Sequence, residues 1–169
     1  MLIAVSHLGW SASLSAFGWL VLATVLGGIV GVEREWSRKP AGVRTQAVVA
    51  AAACLIIQIG EHLRDVAPPG QSGDPTRALH AVITGIGFLG AGTILRDRRS
   101  SNVQGLTTAA SLFLTAAIGA AVGSGMALYA TLVTALVVVI LVGSVALERV
   151  ANRIVEHSPG SAAPPGAGG

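Results

Sequence analysis

The stretch LSAFGWLVLATVLGGIVGVEREWSRKPAGVR, residues 14–44, decides the fold of this chain. Its apolar part, Leu14 to Val32, has the roughly 17 to 25 residues that a bilayer-spanning helix needs. The first basic residue of the whole chain, Arg34, follows this part almost directly. The stretch therefore predicts a transmembrane helix with a charged end, and the rest of the chain repeats that pattern.

Four more apolar segments of similar length follow, at Val43–Gly60, Ala78–Leu95, Gly105–Val122 and Met126–Leu147. Hydrophobic residues make up 52% of the chain and charged residues only 11%, against about 25% in a typical soluble domain. A soluble fold could not bury this much apolar surface. The sequence therefore predicts an all-α membrane helix bundle of five transmembrane helices, forming one domain over residues 1–157.

The two termini are expected to differ. The first apolar run lacks the basic segment that opens a secretory signal peptide, so we expect it to be retained as a helix. Residues 158–169, SPGSAAPPGAGG, have almost nothing to bury. We predict that they form a disordered Pro/Gly-rich cytosolic tail.

The basic residues indicate how the chain is oriented, because the cytosolic loops of membrane proteins carry an excess of Lys and Arg. Only Arg64 and Arg77 fall between the second and third apolar segments. The other nine of the 11 basic residues fall on the opposite side, at Arg34, Arg38, Lys39, Arg44, Arg96, Arg98, Arg99, Arg149 and Arg153. The N-terminus is therefore predicted to lie outside the cytosol and the C-terminus inside it.

The first four segments carry a weak internal repeat. A shift of 63 residues aligns Gly27 with Gly90 and Gly42 with Gly105. Each unit has the same order of parts, with a glycine-rich helix end, a charged loop and a helix start of the form GVRT or GLTT. Because both hairpins begin on the same side, the repeat is predicted to be parallel, with an axis along the membrane normal. The fifth helix would be unrepeated.

The densest glycine cluster is GIGFLGAG, residues 85–92. It contains the string G-x-G-x-x-G, but a dinucleotide site requires a preceding strand, whereas this string lies inside an apolar helix. Small residues three or four apart let membrane helices approach closely. We predict helix packing at Gly27, Gly31, Gly85, Gly87, Gly90, Gly92 and Gly105. The alternative is a polar cleft between these glycines and Gln104, Thr107, Thr108 and Ser111.

Charged and polar residues gather at the predicted cytosolic ends of the helices. Because an unpaired charge near lipid is costly, we predict a buried network between the two hairpins. Its charged members would be Glu33, Arg34, Arg44, Arg96 and Asp97. The other members of the predicted functional cluster are Glu35, Thr45, Asn102, Gln104, Thr107 and Thr108.

The same residues limit the kinds of chemistry that the chain can perform. Mg²⁺ is usually held by one or two carboxylates and several waters, so Glu33 and Asp97 are the candidate metal ligands, and we expect no other cofactor. No Asp or Glu lies in the central two-thirds of any apolar segment, whereas secondary carriers bind ions near the midplane. A carbonyl-lined path through the glycine-rich stretch stays open as an alternative.

No nucleophile-base pair is present, so no enzyme is predicted. The dispersed basic residues favour contact with membrane lipid over nucleic acid.

Three stretches resemble the signature sequences of the MgtC/SapB family of bacterial inner-membrane proteins. They are GGIVGVEREWSRKPAGVRTQAVV (27–49), GIGFLGAGTILRD (85–97) and VQGLTTAASLFLTAAIGAAVGSG (103–125). The resemblance implies a bacterial inner-membrane location and a role in adaptation to low magnesium and in virulence. It also implies a membrane-protein partner, because the best-studied members are thought to restrain the ATP synthase. Longer members add an ACT-like domain, so this chain resembles a short form without it.

Sequence and resemblance together predict a regulator that binds another membrane complex. The alternative is a channel or carrier for magnesium or another ion, which would work as a homo-oligomer. A purely structural scaffold is a third class, in which the loop charges would be individually dispensable.

The predicted orientation can be tested by cysteine labelling in a Cys54→Ala background. Single cysteines at Ser6 and Gln71 should react with an impermeant thiol reagent added to intact cells, and cysteines at Ser100 and Ser161 should not. Labelling of the Ser100→Cys variant from outside would overturn the orientation.

Overall fold

The computed structural model describes residues 10–68, 74, 76–96 and 103–156. Within these ranges the chain forms five helices and one short antiparallel ladder, in which Leu95 lies opposite Gln104. The elements are α1 (Trp10–Trp36), α2 (Val43–Asp65), α3 (Thr76–Thr93), β1 (Leu95–Arg96), β2 (Val103–Gln104), α4 (Leu106–Gly123) and α5 (Ala127–Glu156).

The predicted all-α bundle of five helices is confirmed, with two differences in detail. The two-residue strands β1 and β2 were not predicted. Leu95 of β1 ends the third apolar segment, and the other three strand residues lie between apolar segments. Helices α1 and α5 are longer than their apolar segments. Polar residues at a helix end can continue the backbone hydrogen bonds into water, so apolar length underestimates helix length.

Four of the five helices in the described ranges, namely α1, α2, α4 and α5, are long and apolar enough to cross a membrane. Helix α3, the fifth helix of the predicted bundle, is not among them. It has 18 residues, and its first two turns contain Arg77 and His80. It nevertheless packs against α4 and, less extensively, against α2.

Helix α4 lies at the centre of the bundle and contacts each of the other four helices. One apolar cluster joins its residue Ile118 to Val30 of α1 and Val137 of α5. A second joins its Leu112 to Ile57 of α2, and α3 adds to that cluster. The outward faces are apolar as well, as a lipid environment requires.

Glycines of α4 bring its backbone against that of α2. A Cβ atom placed on Gly119 would collide with the carbonyl oxygen of Ala50. One placed on Gly123 would lie 2.7 Å from the carbonyl oxygen of Cys54. Only residues without a side chain fit there, so α2 and α4 pack at backbone distance. The predicted set of packing glycines omitted both of these positions.

Contacts at equivalent positions follow the internal repeat. In the first hairpin a Cβ atom on Gly27 would lie 2.6 Å from the carbonyl oxygen of Gln46. In the second, a Cβ atom on Gly90 would lie 3.6 Å from the Cβ atom of Ala109. Both members of the second pair follow those of the first by 63 residues, so the two hairpins place corresponding residues at their helix contacts.

The loop from α1 to α2 is held in an unusual backbone conformation. Arg38, two residues after the end of α1, has φ +52°, a conformation for which the chain after a helix usually carries glycine. The Lys39 N–H donates to the Arg34 carbonyl (2.9 Å), and the Arg38 N–H donates to that of Glu35 (3.1 Å). Ala41 has φ +60°. Two non-glycine residues in the left-handed region mark this loop as conformationally strained.

Replacing Ala41 by Gly should stabilise the protein, because glycine adopts positive φ without the steric cost that an L-residue bears. We expect the unfolding free energy in detergent to rise by about 1 kcal/mol. The matched control is Ala110→Gly in the interior of α4, which should lower it by about 1 kcal/mol. Equal destabilisation by both variants would contradict the strained conformation at Ala41.

Candidate functional site

Buried polar side chains meet where α1 ends and α2 and α4 begin, which we call the charged end of the bundle. Arg34 is only 2% exposed although it carries a charge. Its Nη2 atom donates to Thr108 Oγ1 at 3.2 Å, between residues 74 positions apart. A guanidinium from α1 is therefore fixed to a hydroxyl group on α4.

A second contact joins α2 to the same face of α4. The side chain of Gln46 is fully buried, and its Nε2 atom donates to Ser111 Oγ at 3.0 Å. The Ser111 hydroxyl in turn donates to the Thr108 carbonyl at 2.9 Å. Arg34, Thr108, Ser111 and Gln46 thus form a continuous chain across three helices. Together with Glu33, we call them the buried polar cluster.

Glu33 supplies the negative charge of the buried polar cluster. It is 7% exposed, and its Oε1 atom accepts a hydrogen bond from Ser37 Oγ at 2.7 Å. Its Oε2 atom is buried and has no hydrogen-bond partner among the described residues. The guanidinium of Arg34 follows it directly in the chain, so one buried acid and one buried base are neighbours at this end of the bundle.

Three further buried atoms lack partners within the described part of the chain. They are Arg34 Nε, Gln46 Oε1 and Thr115 Oγ1. Thr115 lies one turn beyond Ser111, deeper in α4. A buried polar atom left unpaired costs about 1 to 3 kcal/mol. The buried polar cluster therefore has hydrogen-bonding capacity for water, a ligand or another side chain.

The structure brings together three of the predicted cluster residues, Glu33, Arg34 and Thr108. Arg44 is exposed and does not pair with Glu33, contrary to the predicted network. Successive residues of a helix are about 100° apart. When Gln46 faces α4, Arg44, two positions earlier, must face away.

The other predicted cluster residues lie outside this contact. Glu35 is exposed, and its Oε2 atom accepts from the backbone N–H of Val43 at 3.3 Å, at the start of α2. The backbone of Arg96 belongs to β1, and Asp97 and Asn102 lie outside the described residues. The remaining members are exposed, at Thr45, Gln104 and Thr107.

The predicted packing glycines divide into two groups. Gly31 is buried, and a Cβ atom on it would lie 2.5 Å from Val43 Cα, so its packing resembles that of Gly27. Gly105 is needed for a turn, because its φ is +91° and a Cβ atom would collide with the carbonyl oxygen of Thr93. Neither position tolerates a side chain without movement of the backbone.

The expectation of close packing is not met at Gly85, Gly87 and Gly92. Among the described residues, nothing beyond their own helix backbone lies within 4 Å of a Cβ placed on any of the three. The buried residues of α3 include Val82 and Ile86, whose four-residue spacing defines the face toward α4, and these glycines lie on other faces. Gly85 lines an apolar groove, so this glycine does not support the alternative polar cleft.

Sequence reasoning missed Gln46 and Thr115. A usable signal existed, because Thr108, Ser111 and Thr115 follow the spacing of three and four residues that places side chains on one helix face. Gln46 is likewise a strongly polar residue near the start of an apolar segment. Polar residues inside such segments usually face the bundle interior.

Among the described residues, no three His, Cys, Asp or Glu side chains come together as a metal site. Of the two candidate ligands, Glu33 offers one unpaired carboxylate oxygen. The adjacent guanidinium of Arg34 opposes a cation there by electrostatic repulsion. Within the described residues, the site therefore offers fewer oxygen ligands than the shell of Mg²⁺ usually has.

Comparison with known proteins gives one family. The sequence profile of the MgtC family matches residues 20–150. The chain is 40% identical over 141 residues to an uncharacterised protein of Haemophilus influenzae, covering 81% of this chain and 58% of that protein. It is 41% identical over 123 residues to a protein named putative magnesium transporter YhiD of Escherichia coli K12, covering 70% of this chain and 56% of that protein.

It is also 38% identical over 135 residues to protein MgtC of Salmonella typhimurium, covering 80% of this chain and 53% of that protein. The chain thus spans little more than half the length of these relatives. No solved structure matches it.

The contact between Gln46 and Ser111 can be tested by a double-mutant cycle. Ser111→Ala leaves the fully buried amide of Gln46 without its partner, so we expect a loss of about 1 to 3 kcal/mol in unfolding free energy. Gln46→Met removes that amide, and the double variant should recover most of the loss.

Thermal unfolding in detergent measures each corner of this cycle. Ser144→Ala is the control, because Ser144 is exposed and bonds only to the Leu141 carbonyl. Its effect should stay within about 0.5 kcal/mol. Additive losses from Gln46→Met and Ser111→Ala would show that the two side chains are not coupled.

Proposed function

The chain belongs to the MgtC family of membrane proteins, and we propose that it is a regulator that acts on another membrane complex when magnesium is limiting. The ATP synthase is the complex that we propose first. The family links the chain to magnesium through relatives named MgtC and putative magnesium transporter YhiD. The regulatory step is our own inference from the placement of charge.

The observation that carries this proposal is the position of Glu33 and Arg34. Both are buried at one end of the bundle, and they lie beside a loop whose basic residues, Arg38 and Lys39, are exposed. The sequence places no acidic residue in the central two-thirds of the apolar segments. The exposed cations next to these buried charges support recognition of a partner at the membrane edge better than an ion site at the midplane.

A second candidate function is ion conduction, and one observation favours it. Thr108, Ser111 and Thr115 form a polar row that enters α4 from the charged end. Thr115 Oγ1 and Gln46 Oε1 are buried without partners among the described residues. Because this row is buried, a hydrated path along it would run inside the bundle, between α4 and its neighbours α1 and α2. In a homo-oligomer each subunit would carry its own path.

Reconstitution separates the two proposals. Purified protein alone in proteoliposomes should move neither magnesium nor protons above the background of empty liposomes. Co-reconstituted with purified ATP synthase, it should reduce ATP-driven proton pumping. Saturable magnesium flux through the protein alone, lost in Glu33→Gln, would overturn the regulator and favour the channel.

Glu33→Gln should abolish the inhibition of proton pumping while the protein stays in the membrane. The amide keeps an acceptor for Ser37, but it leaves the buried charge of Arg34 without its neighbouring negative charge. Asp65→Asn is the matched control, because Asp65 is an exposed carboxylate at the opposite end of α2. It should inhibit as the parent does, and equal loss in both variants would contradict a specific role for Glu33.

A further inference from the structure

Helices α2 and α3 leave two adjacent cavities between them, away from the buried polar cluster. One, of about 190 Å³, lies near the C-terminal end of α2 and is lined by Glu61, Arg64, Thr76 and Ser124 together with apolar residues. The other, also about 190 Å³, is a groove with apolar walls that include Ile56, Ala81 and Gly85. We call them the end pocket and the apolar groove.

The two cavities occupy consecutive stretches of the same pair of helices. On α2, Ile57 lines the end pocket and Ile56 lines the apolar groove. On α3, Leu79 lines the end pocket and Ala81 lines the apolar groove. Drug-sized ligands usually occupy about 300 to 1,000 Å³, so neither cavity alone fits such a molecule. An extended occupant that lies partly in the bilayer fits both.

The residues of α2 that line the two cavities lie at different depths in a bilayer. At about 1.5 Å per residue, Arg64 lies roughly 31 Å along the helix from Val43, close to the roughly 30 Å thickness of the hydrocarbon core. Glu61 and Arg64 therefore lie at headgroup level. Ala52 and Ile56, which line the apolar groove, lie within the hydrocarbon.

The end pocket presents one charge of each sign. Glu61 is a carboxylate that can accept from an ammonium group, and Arg64 is a guanidinium that binds phosphate well. The Thr76 hydroxyl donates to Asp74 Oδ1 at 2.7 Å, so toward a ligand it can act only as an acceptor. These groups complement a headgroup that carries both a phosphate and a primary amine.

Arg64 is available for such a ligand. Its Nη2 atom contacts Asp65 Oδ1 at 3.2 Å, but the two side chains are 40% and 67% exposed. An exposed ion pair of this kind contributes little to stability. The guanidinium can therefore exchange this partner for a phosphate at small cost.

We propose that a single phosphatidylethanolamine molecule binds between α2 and α3, with its headgroup in the end pocket and an acyl chain in the apolar groove. Arg64 binds the phosphate, Glu61 binds the ammonium group, and the groove buries the chain. The lipid lies alongside the close contact between Gly60 of α2 and Ala78 of α3.

The test is lipid binding to the purified full chain in detergent, measured by native mass spectrometry. Dioleoyl phosphatidylethanolamine should bind about tenfold more tightly than dioleoyl phosphatidylglycerol, which lacks the amine. Arg64→Gln and Glu61→Gln should each weaken binding of the ethanolamine lipid by about tenfold, the size of one lost charge-assisted hydrogen bond.

Gly85→Leu should also weaken binding, because its side chain fills the apolar groove. Two variants serve as matched controls and should bind as the parent does. Arg77→Gln removes a cation at the same end of the bundle, and Gly92→Leu adds the same side chain at an equally open position of α3. If Gly85→Leu fails to fold, Ala81→Leu replaces it at an exposed wall of the groove.

Equal binding of the two lipids would overturn the proposal, as would loss in both control variants. Weakening by the charge variants alone, or by the groove variant alone, would also overturn it, because one lipid molecule must use both cavities.

Discussion

The buried guanidinium of Arg34 is the constraint on which the arrangement of the helices depends. A charged group at the edge of a bilayer must find polar partners, because lipid offers it none. Arg34 donates a hydrogen bond to Thr108 of α4, and Gln46 donates one to Ser111, three residues further along α4. Lipid tails are as apolar as leucine, so apolar contact alone does not decide how helices are rotated in a membrane. The hydrogen bonds of Arg34 and Gln46 are directional, so they decide that rotation.

Small residues also hold the helices together, because they let the helix backbones approach closely. Gly27 and Gly31 bring α1 against α2, and Gly119 and Gly123 bring α2 against α4. Close backbone approach increases van der Waals contact, which is the main apolar attraction available between helices in lipid. Helix α3 lacks such close contacts at Gly85, Gly87 and Gly92, and it approaches α2 closely at Gly60 and Ala78 instead.

Sequence predicted the number of helices because apolar length is a local property. It predicted Arg34 and Thr108 as members of one site, since a charge beside lipid must be paired. It could not predict that Arg44 faces outward, because rotation of α2 is set by its contact with α4. It also assigned a packing role to every glycine in the 85–92 cluster. Spacing shows that small residues share a face, but only the neighbouring helices decide whether that face is covered.

The loop at Arg38 and Ala41 has a consequence for recognition. Association with a partner usually costs conformational entropy, because flexible loops lose freedom when they are ordered. Here the backbone hydrogen bonds from Arg38 and Lys39 back to α1 have already removed that freedom. The backbone that carries the exposed cations is therefore fixed before any encounter, while their long side chains keep rotamer freedom. A partner of these cations would order the two side chains on binding but would lose little entropy in the loop backbone.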